Sequence, residues 1–200
     1  MTLGDPPGSA RYDDLLRATR GLLDAVAAAH APDDVVDEVA KLVHQAAERL
    51  APFAVGEREA PSGNRPDLPG RGHPLVPPFV IDVEDPDRVT GTVRLSRAHL
   101  GGGDAAHGGV LPLLFDEVLG RLVAHGREPS RTAYLHVDYR QLTPLDVDLR
   151  VEAEIIRHEG RKLFATGRLL KGEVVLAECE GLFVQAREGG LVTQTEAAAD

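Results

Sequence analysis

Residues 105–126 read AAHGGVLPLLFDEVLGRLVAHG, and the rest of the chain is organised around them. A tight loop, His107-Gly108-Gly109, runs straight into an apolar helix that carries Asp116 and Glu117 and ends near Gly126. Leu111, Leu114, Phe115, Val118, Leu119, Leu122 and Val123 cover most of its circumference, which predicts burial on nearly all sides. At 1.5 Å per residue, a helix of roughly 16 residues is about 24 Å long, enough to span a small sheet. Carboxylates are rarely left unpaired inside a protein, so Asp116 and Glu117 mark this helix as the seat of any chemistry.

Strand patterns flank the helix. Upstream, residues 79–83 form a short apolar run, and residues 88–95 (RVTGTVRL) alternate Val89, Gly91, Val93 and Leu95 against Arg88, Thr90, Thr92 and Arg94. Downstream, residues 132–140 (TAYLHVDYR) set Ala133, Leu135, Val137 and Tyr139 against Thr132, Tyr134, His136, Asp138 and Arg140. Residues 147–158, 162–170 and 173–185 continue the alternation, with hairpin signals at Glu159-Gly160 and Lys171-Gly172. The predicted order is two strands, one buried helix, then four strands in an antiparallel meander. Short hairpins between the last three strands favour antiparallel pairing, because parallel strands need crossovers of a dozen or more residues. One long apolar helix and one half-apolar sheet pack most simply when the sheet curls around the helix. The expected fold is therefore α+β, a hotdog: an antiparallel sheet of about six strands wrapped around one central helix. A free edge strand in such a sheet pairs readily with a second copy, so a homodimer or a dimer of dimers is expected.

Residues 1–51 are expected to be a helical extension, with apolar stripes at Leu15, Leu16, Leu22, Leu23 and Val26 and again at Val35, Val36, Val39, Leu42, Val43, Ala46 and Leu50. The pair reads as a hairpin packed on the main domain or on a partner subunit. Residues 52–78 are rich in proline and glycine and read as a linker or extended wrap. Gly70-Arg71-Gly72 within them neither follows a strand nor opens a helix, so it is no phosphate loop. Residues 79–186 make the main domain, and residues 187–200 read as a disordered tail.

The 200 residues carry a net charge of −10, which argues against nucleic acid or an anionic membrane surface as partner. Cys179 is the single cysteine, so no internal disulfide or cysteine-based zinc cluster is expected, and the eight histidines lack ligand-like spacing. With no signal peptide pattern and no apolar run of the ~20 residues that cross a bilayer, a cytoplasmic protein is expected.

Pro112 belongs in the first helical turn, which starts the helix near Gly109 or Val110. The N–H groups of Gly108, Gly109 and Val110 would then lack intrahelical acceptors and, with the helix dipole, suit a negative oxygen. Asp116, nine residues after His107, could position a water to attack a carbonyl held on the Gly108 N–H. Gly120, one turn on, leaves room beside that carboxylate. Duller readings stand beside these: His-Gly-Gly as a simple helix entry, His107 as a cap, and Asp116-Glu117 as an exposed helix edge.

AHGGVLPLLFDEVLG, followed by TAYLHVDYRQLTPL, closely resembles the PaaI-like branch of hotdog-fold acyl-CoA thioesterases, which includes the mammalian thioesterase-superfamily enzymes. The resemblance covers about residues 79–186. It implies a Gly108 N–H that binds the thioester carbonyl oxygen, a loop shaped by His107, Asp116 as base or nucleophile, and Thr132 as the holder of the attacking water or of the carboxylate. Gly109, Glu117 and Arg140 are expected beside the substrate, an acyl-CoA, and hydrolysis to free acid and CoA needs no metal or redox cofactor. It also implies that the oxyanion loop and the carboxylate of one site come from different subunits. One position departs from the pattern: some relatives carry an asparagine six residues before the histidine, where this chain has Gly101. Arg140, Arg150, Arg157, Arg161 and Lys162 are candidates for meeting CoA phosphates, or else a solvated face. Two alternatives stay open, a non-catalytic acyl-CoA-binding or regulatory hotdog module and a hotdog hydratase.

Overall fold

The computed structural model describes residues 11–186, so the expected tail lies outside the described residues. Helices α1 (Tyr12–Ala28) and α2 (Asp33–Leu50) come first. Strands β1 (Val80–Asp85) and β2 (Arg88–Arg94) follow, then helix α3 (Val110–Ala124) and strands β3 (Ser130–Tyr139), β4 (Asp148–Glu159), β5 (Lys162–Lys171) and β6 (Val174–Gln185). The six strands form one antiparallel sheet in the order β1-β2-β4-β5-β6-β3, and it curls around α3 in the hotdog arrangement.

The seven apolar residues expected to bury α3 are all buried. They meet Val89 and Val93 of β2, Leu149 and Val151 of β4, Leu163 and Ala165 of β5, and Ala177 and Phe183 of β6 in one core. A side chain at Gly167 or Gly181 would press on Phe115 or Leu119, so these positions let the helix lie close on the sheet.

The four-strand meander is corrected. Only β4, β5 and β6 run as consecutive neighbours, while β3 lies at the far edge against β6. Alternation in the sequence sets which face a side chain takes but not which strand is its neighbour, so the edge position of β3 was not legible. A second correction sits inside β3. A bulge between Thr132 and Tyr134 places Thr132 opposite Phe183 and Leu135 opposite Gly181. The bulge absorbs Ala133 and returns Thr132 to the helix side of the sheet, the face that strict alternation denied it.

In the extension, α1 docks firmly. Leu16 is buried, Tyr12 donates to the Gly72 carbonyl at 2.8 Å, and Arg20 donates to the carbonyls of Pro69, His73 and Val76. Helix α2 has no buried residue, and its stripe of Val35, Val36, Val39, Leu42, Val43 and Leu50 is exposed. In the segment between α2 and β1, Gly70, Arg71 and Gly72 all take positive φ (62°, 53° and 72°). This left-handed run, strained only at the non-glycine Arg71, turns the Arg71 side chain to Glu117 on α3.

Candidate active site

The loop before α3 is fixed from both sides. The His107 N–H donates to the His99 carbonyl at 2.8 Å, and the Ala106 N–H donates to the Thr143 carbonyl at 2.8 Å. Tyr139 of β3 donates its hydroxyl to the Gly108 carbonyl at 2.8 Å. The three expected oxyanion donors reduce to one. Gly109 donates its N–H to His107 Nδ1 at 3.0 Å, and Val110 donates to the His107 carbonyl at 2.9 Å. Among the described residues no group accepts from the Gly108 N–H. Because His107 Nδ1 is an acceptor, the neutral ring carries its proton on Nε2.

Eight residues further along α3, Asp116 Oδ1 accepts a hydrogen bond from Thr132 Oγ1 at 2.8 Å. This pair lies exposed in an open cavity of about 710 Å³ that Gly120 and Phe183 also line. His107 and Gly109 line a different cavity, of about 530 Å³. Gly108 and Asp116 are thus separated by about 12 Å along the helix, at 1.5 Å per residue. A water attacking a carbonyl stands roughly 3–3.5 Å from its carbon. That reach is several times shorter than the rise between the two groups along one chain.

Of the remaining expected residues, Glu117 lines the same cavity as Asp116 and Thr132, and Arg140 does not. Glu117 is held by Arg71, whose Nε and Nη2 both donate to the carboxylate, the latter at 2.9 Å. That pairing raises the Arg71 guanidinium above its ordinary pKa, against the opposing effect of burial. Glu117 so ties the proline-rich segment to α3 at the edge of the cavity that holds Asp116. Arg140 points to the outer face of the sheet, donating to Glu178 at 3.0 Å and Asp138 at 3.2 Å. Arg150 and Arg157 pair with Glu152 and Glu159, and Arg161 donates to the Gln185 carbonyl.

Position Gly101 is closed to any side chain. A Cβ there would lie 2.7 Å from His107 Cα and 3.0 Å from His107 N. The loop here is closed by the Gly101 N–H, which donates to the Ala105 carbonyl at 2.9 Å.

Sequence reasoning missed two residues around this loop, Tyr139 and His99, and a third at Glu117, Arg71. The alternation of β3 marks Tyr139 as inward-facing, but only the edge position of the strand brings it to Gly108. His99 accepts the Ser96 N–H on Nδ1 at 3.0 Å, and burial lowers its pKa below the ordinary 6.5. Burial also pushes the Cys179 thiol up to about 12, so it stays protonated and unreactive.

Over 112 residues the chain is 30% identical to a Pseudomonas aeruginosa protein named "Putative esterase PA0474", a match that spans 54% of this chain and 84% of that one. The crystal structure of RHA08564, a thioesterase superfamily protein, is 30% identical, covers 92% of this chain and 95% of its own, and has a TM-score of 0.77. A hypothetical thioesterase from Streptococcus pneumoniae, crystallised with coenzyme A, shares the fold at 18% identity and a TM-score of 0.51, over 54% of this chain and 87% of its own. No protein-family model matches the chain. Fold and relatives together define a hotdog-fold thioester hydrolase. The chain belongs to the thioesterase superfamily.

Proposed function

We propose that this protein hydrolyses an acyl-CoA thioester to a free acid and CoA, in a homodimer or dimer of dimers whose sites straddle the subunit interface. The Gly108 N–H of one subunit holds the carbonyl oxygen. Asp116 of the partner subunit, steadied by Thr132, takes a proton from water as the water oxygen attacks the carbonyl carbon. The carbon–sulfur bond then breaks, and CoA leaves as the thiol after accepting a proton. The observation that carries this reading is the Thr132–Asp116 hydrogen bond at 2.8 Å, set about 12 Å along α3 from the free Gly108 N–H.

Further support comes from the pneumococcal thioesterase. It was crystallised with coenzyme A, and also with alanine in place of an aspartate and, separately, of a threonine sixteen positions further on. Asp116 and Thr132 have that spacing. The outward face of α3 at Asp116 and Gly120, the edge strand β3 and the exposed stripe of α2 are surfaces that a second copy would cover.

The test is thiol release from a panel of acyl-CoAs, wild type beside Asp116→Asn. Loss of a positioned base lowers kcat by roughly 10²–10⁴-fold. The expected result is a collapse of that size with the fold and oligomer intact. The closed position Gly101 favours a second reading, a module that binds acyl-CoA without turning it over. Tight binding with no thiol release from the wild type would select it.

A further inference from the structure

The geometry points to the N-terminal extension as one wall of the pocket that takes the acyl group, so that α1 and residues 74–78 set chain-length preference. This inference rests on the acyl-CoA reading above. The cavity of about 530 Å³ beside the oxyanion loop is bounded by Leu23 of α1, Leu75, and Val110 and Leu113 of α3, with His107 and Gly109 at one end. Gly108 itself does not line the cavity, but its neighbours His107 and Gly109 do, so the acyl group of a substrate held on the Gly108 N–H starts one residue from it. Its size falls within the roughly 300–1,000 Å³ usual for small-molecule pockets.

Three polar groups on the cavity wall are already engaged in holding the wall together. Arg20 donates to the carbonyls of Pro69, His73 and Val76, Asp24 accepts the Ala98 N–H at 2.8 Å, and His99 Nδ1 accepts the Ser96 N–H. Arg94 is on the wall too, donating to Asp148 and to the Asp146 carbonyl, so apart from the Asp146 carboxylate the surface left for a ligand is mainly apolar. An apolar acyl chain loses nothing there, whereas the amides of a pantetheine arm would be buried without partners, a cost of about 1–3 kcal/mol each on protein scales. The Asp24 bond pins α1 on the loop that leads into the His107 turn and the Arg20 bonds pin it on residues 69–76, which gives the wall a fixed position rather than a loose cover.

Leu23 is the residue to change, because it lines the cavity yet is 44% exposed and carries little of the fold. Leu23→Trp narrows the cavity and Leu23→Ala widens it. Two readouts are taken across saturated acyl groups from acetyl to palmitoyl: kcat/KM for thiol release, and affinity for non-hydrolysable acyl-CoA thioethers by calorimetry. The expected result is a shift of preference to shorter chains in Leu23→Trp and to longer chains in Leu23→Ala. For the longest chain that the wild type favours, Leu23→Trp should lose about 10-fold or more, the scale set by one misfitting methylene. An equal change at every chain length, or none in either variant, overturns the inference, and an equal loss places the pantetheine arm in this cavity instead. Should the wild type release no thiol, the hydrolase reading falls on its own. The thioether affinities still decide the pocket, with a chain-length shift upholding it and flat affinities overturning it.

Discussion

His107 shapes the loop through two bonds that hold the turn closed: its ring nitrogen takes the Gly109 N–H and its carbonyl takes the Val110 N–H. Both engage donors at the start of α3 and leave the Gly108 N–H without an acceptor among the described residues. Gly101 is part of the same economy of space, since its missing side chain lets the chain pass within contact of His107 Cα. Restoring the asparagine found in some relatives is therefore expected to harm this enzyme. Gly101→Asn should cost about 1–3 kcal/mol through overpacking. It should also lower thiol release rather than raise it. Denaturant unfolding and the acyl-CoA assay check both halves, and a faster enzyme of unchanged stability would show that the loop opens freely.

At the scale of elements, two irregularities do the placing. The bulge at Ala133 turns Thr132 inward so that it reaches Asp116, and the left-handed run at residues 70–72 turns Arg71 inward so that it reaches Glu117. The Arg71–Glu117 pair is the clasp between the proline-rich segment and α3. The Glu117 side chain is only 13% exposed, so removing its partner leaves a largely buried acceptor. Arg71→Ala is expected to cost about 1–2 kcal/mol, at the low end for such a loss because Arg71 is itself half-exposed. Limited proteolysis should then cut within residues 52–78 sooner than in the wild type. Unchanged cleavage would mean that the docking of Tyr12 and Arg20 suffices to hold the segment.

For the whole molecule, the proposed function makes Gly108, just before α3, and Asp116 on it two half-sites about 12 Å apart at 1.5 Å per residue. If they complete one another across an interface, two different inactive variants should rescue each other. Gly108→Pro removes the N–H, and Gly108 is not among the positive-φ glycines, so proline meets no left-handed backbone there. Mixed and reassociated with Asp116→Asn, it forms hybrid dimers with one doubly altered site and one intact site. With random reassociation of subunits, about a quarter of the wild-type rate should return. Each variant alone should stay inactive, and light scattering should report the oligomer throughout. No recovery from well-formed hybrids would place both halves of the site within one subunit.

The hotdog fold was legible in the sequence because its causes are local. The apolar coverage of residues 110–124 demands a surrounding layer, and the period of the flanking strands supplies one with a single apolar face. The tight turns Glu159-Gly160 and Lys171-Gly172 fix antiparallel order for β4, β5 and β6. Gly108 and Asp116 were legible from the chemistry of a helix start, whereas Thr132 was legible only through resemblance, since strict alternation put it on the wrong face. Strand order at the β3 edge, the bulge at Ala133, the engagement of Glu117 by Arg71 and the closure of Gly101 against His107 were not legible. Each depends on a contact between residues brought together by the fold, and neither hydrophobic period nor turn chemistry records which distant partner a side chain or a strand edge will meet. The sequence by itself determined the helix, the strands and the face each side chain prefers. Tertiary structure alone decided which of the expected groups stay free for a substrate, because a donor or a carboxylate is available only when no neighbour in the folded chain has already taken it.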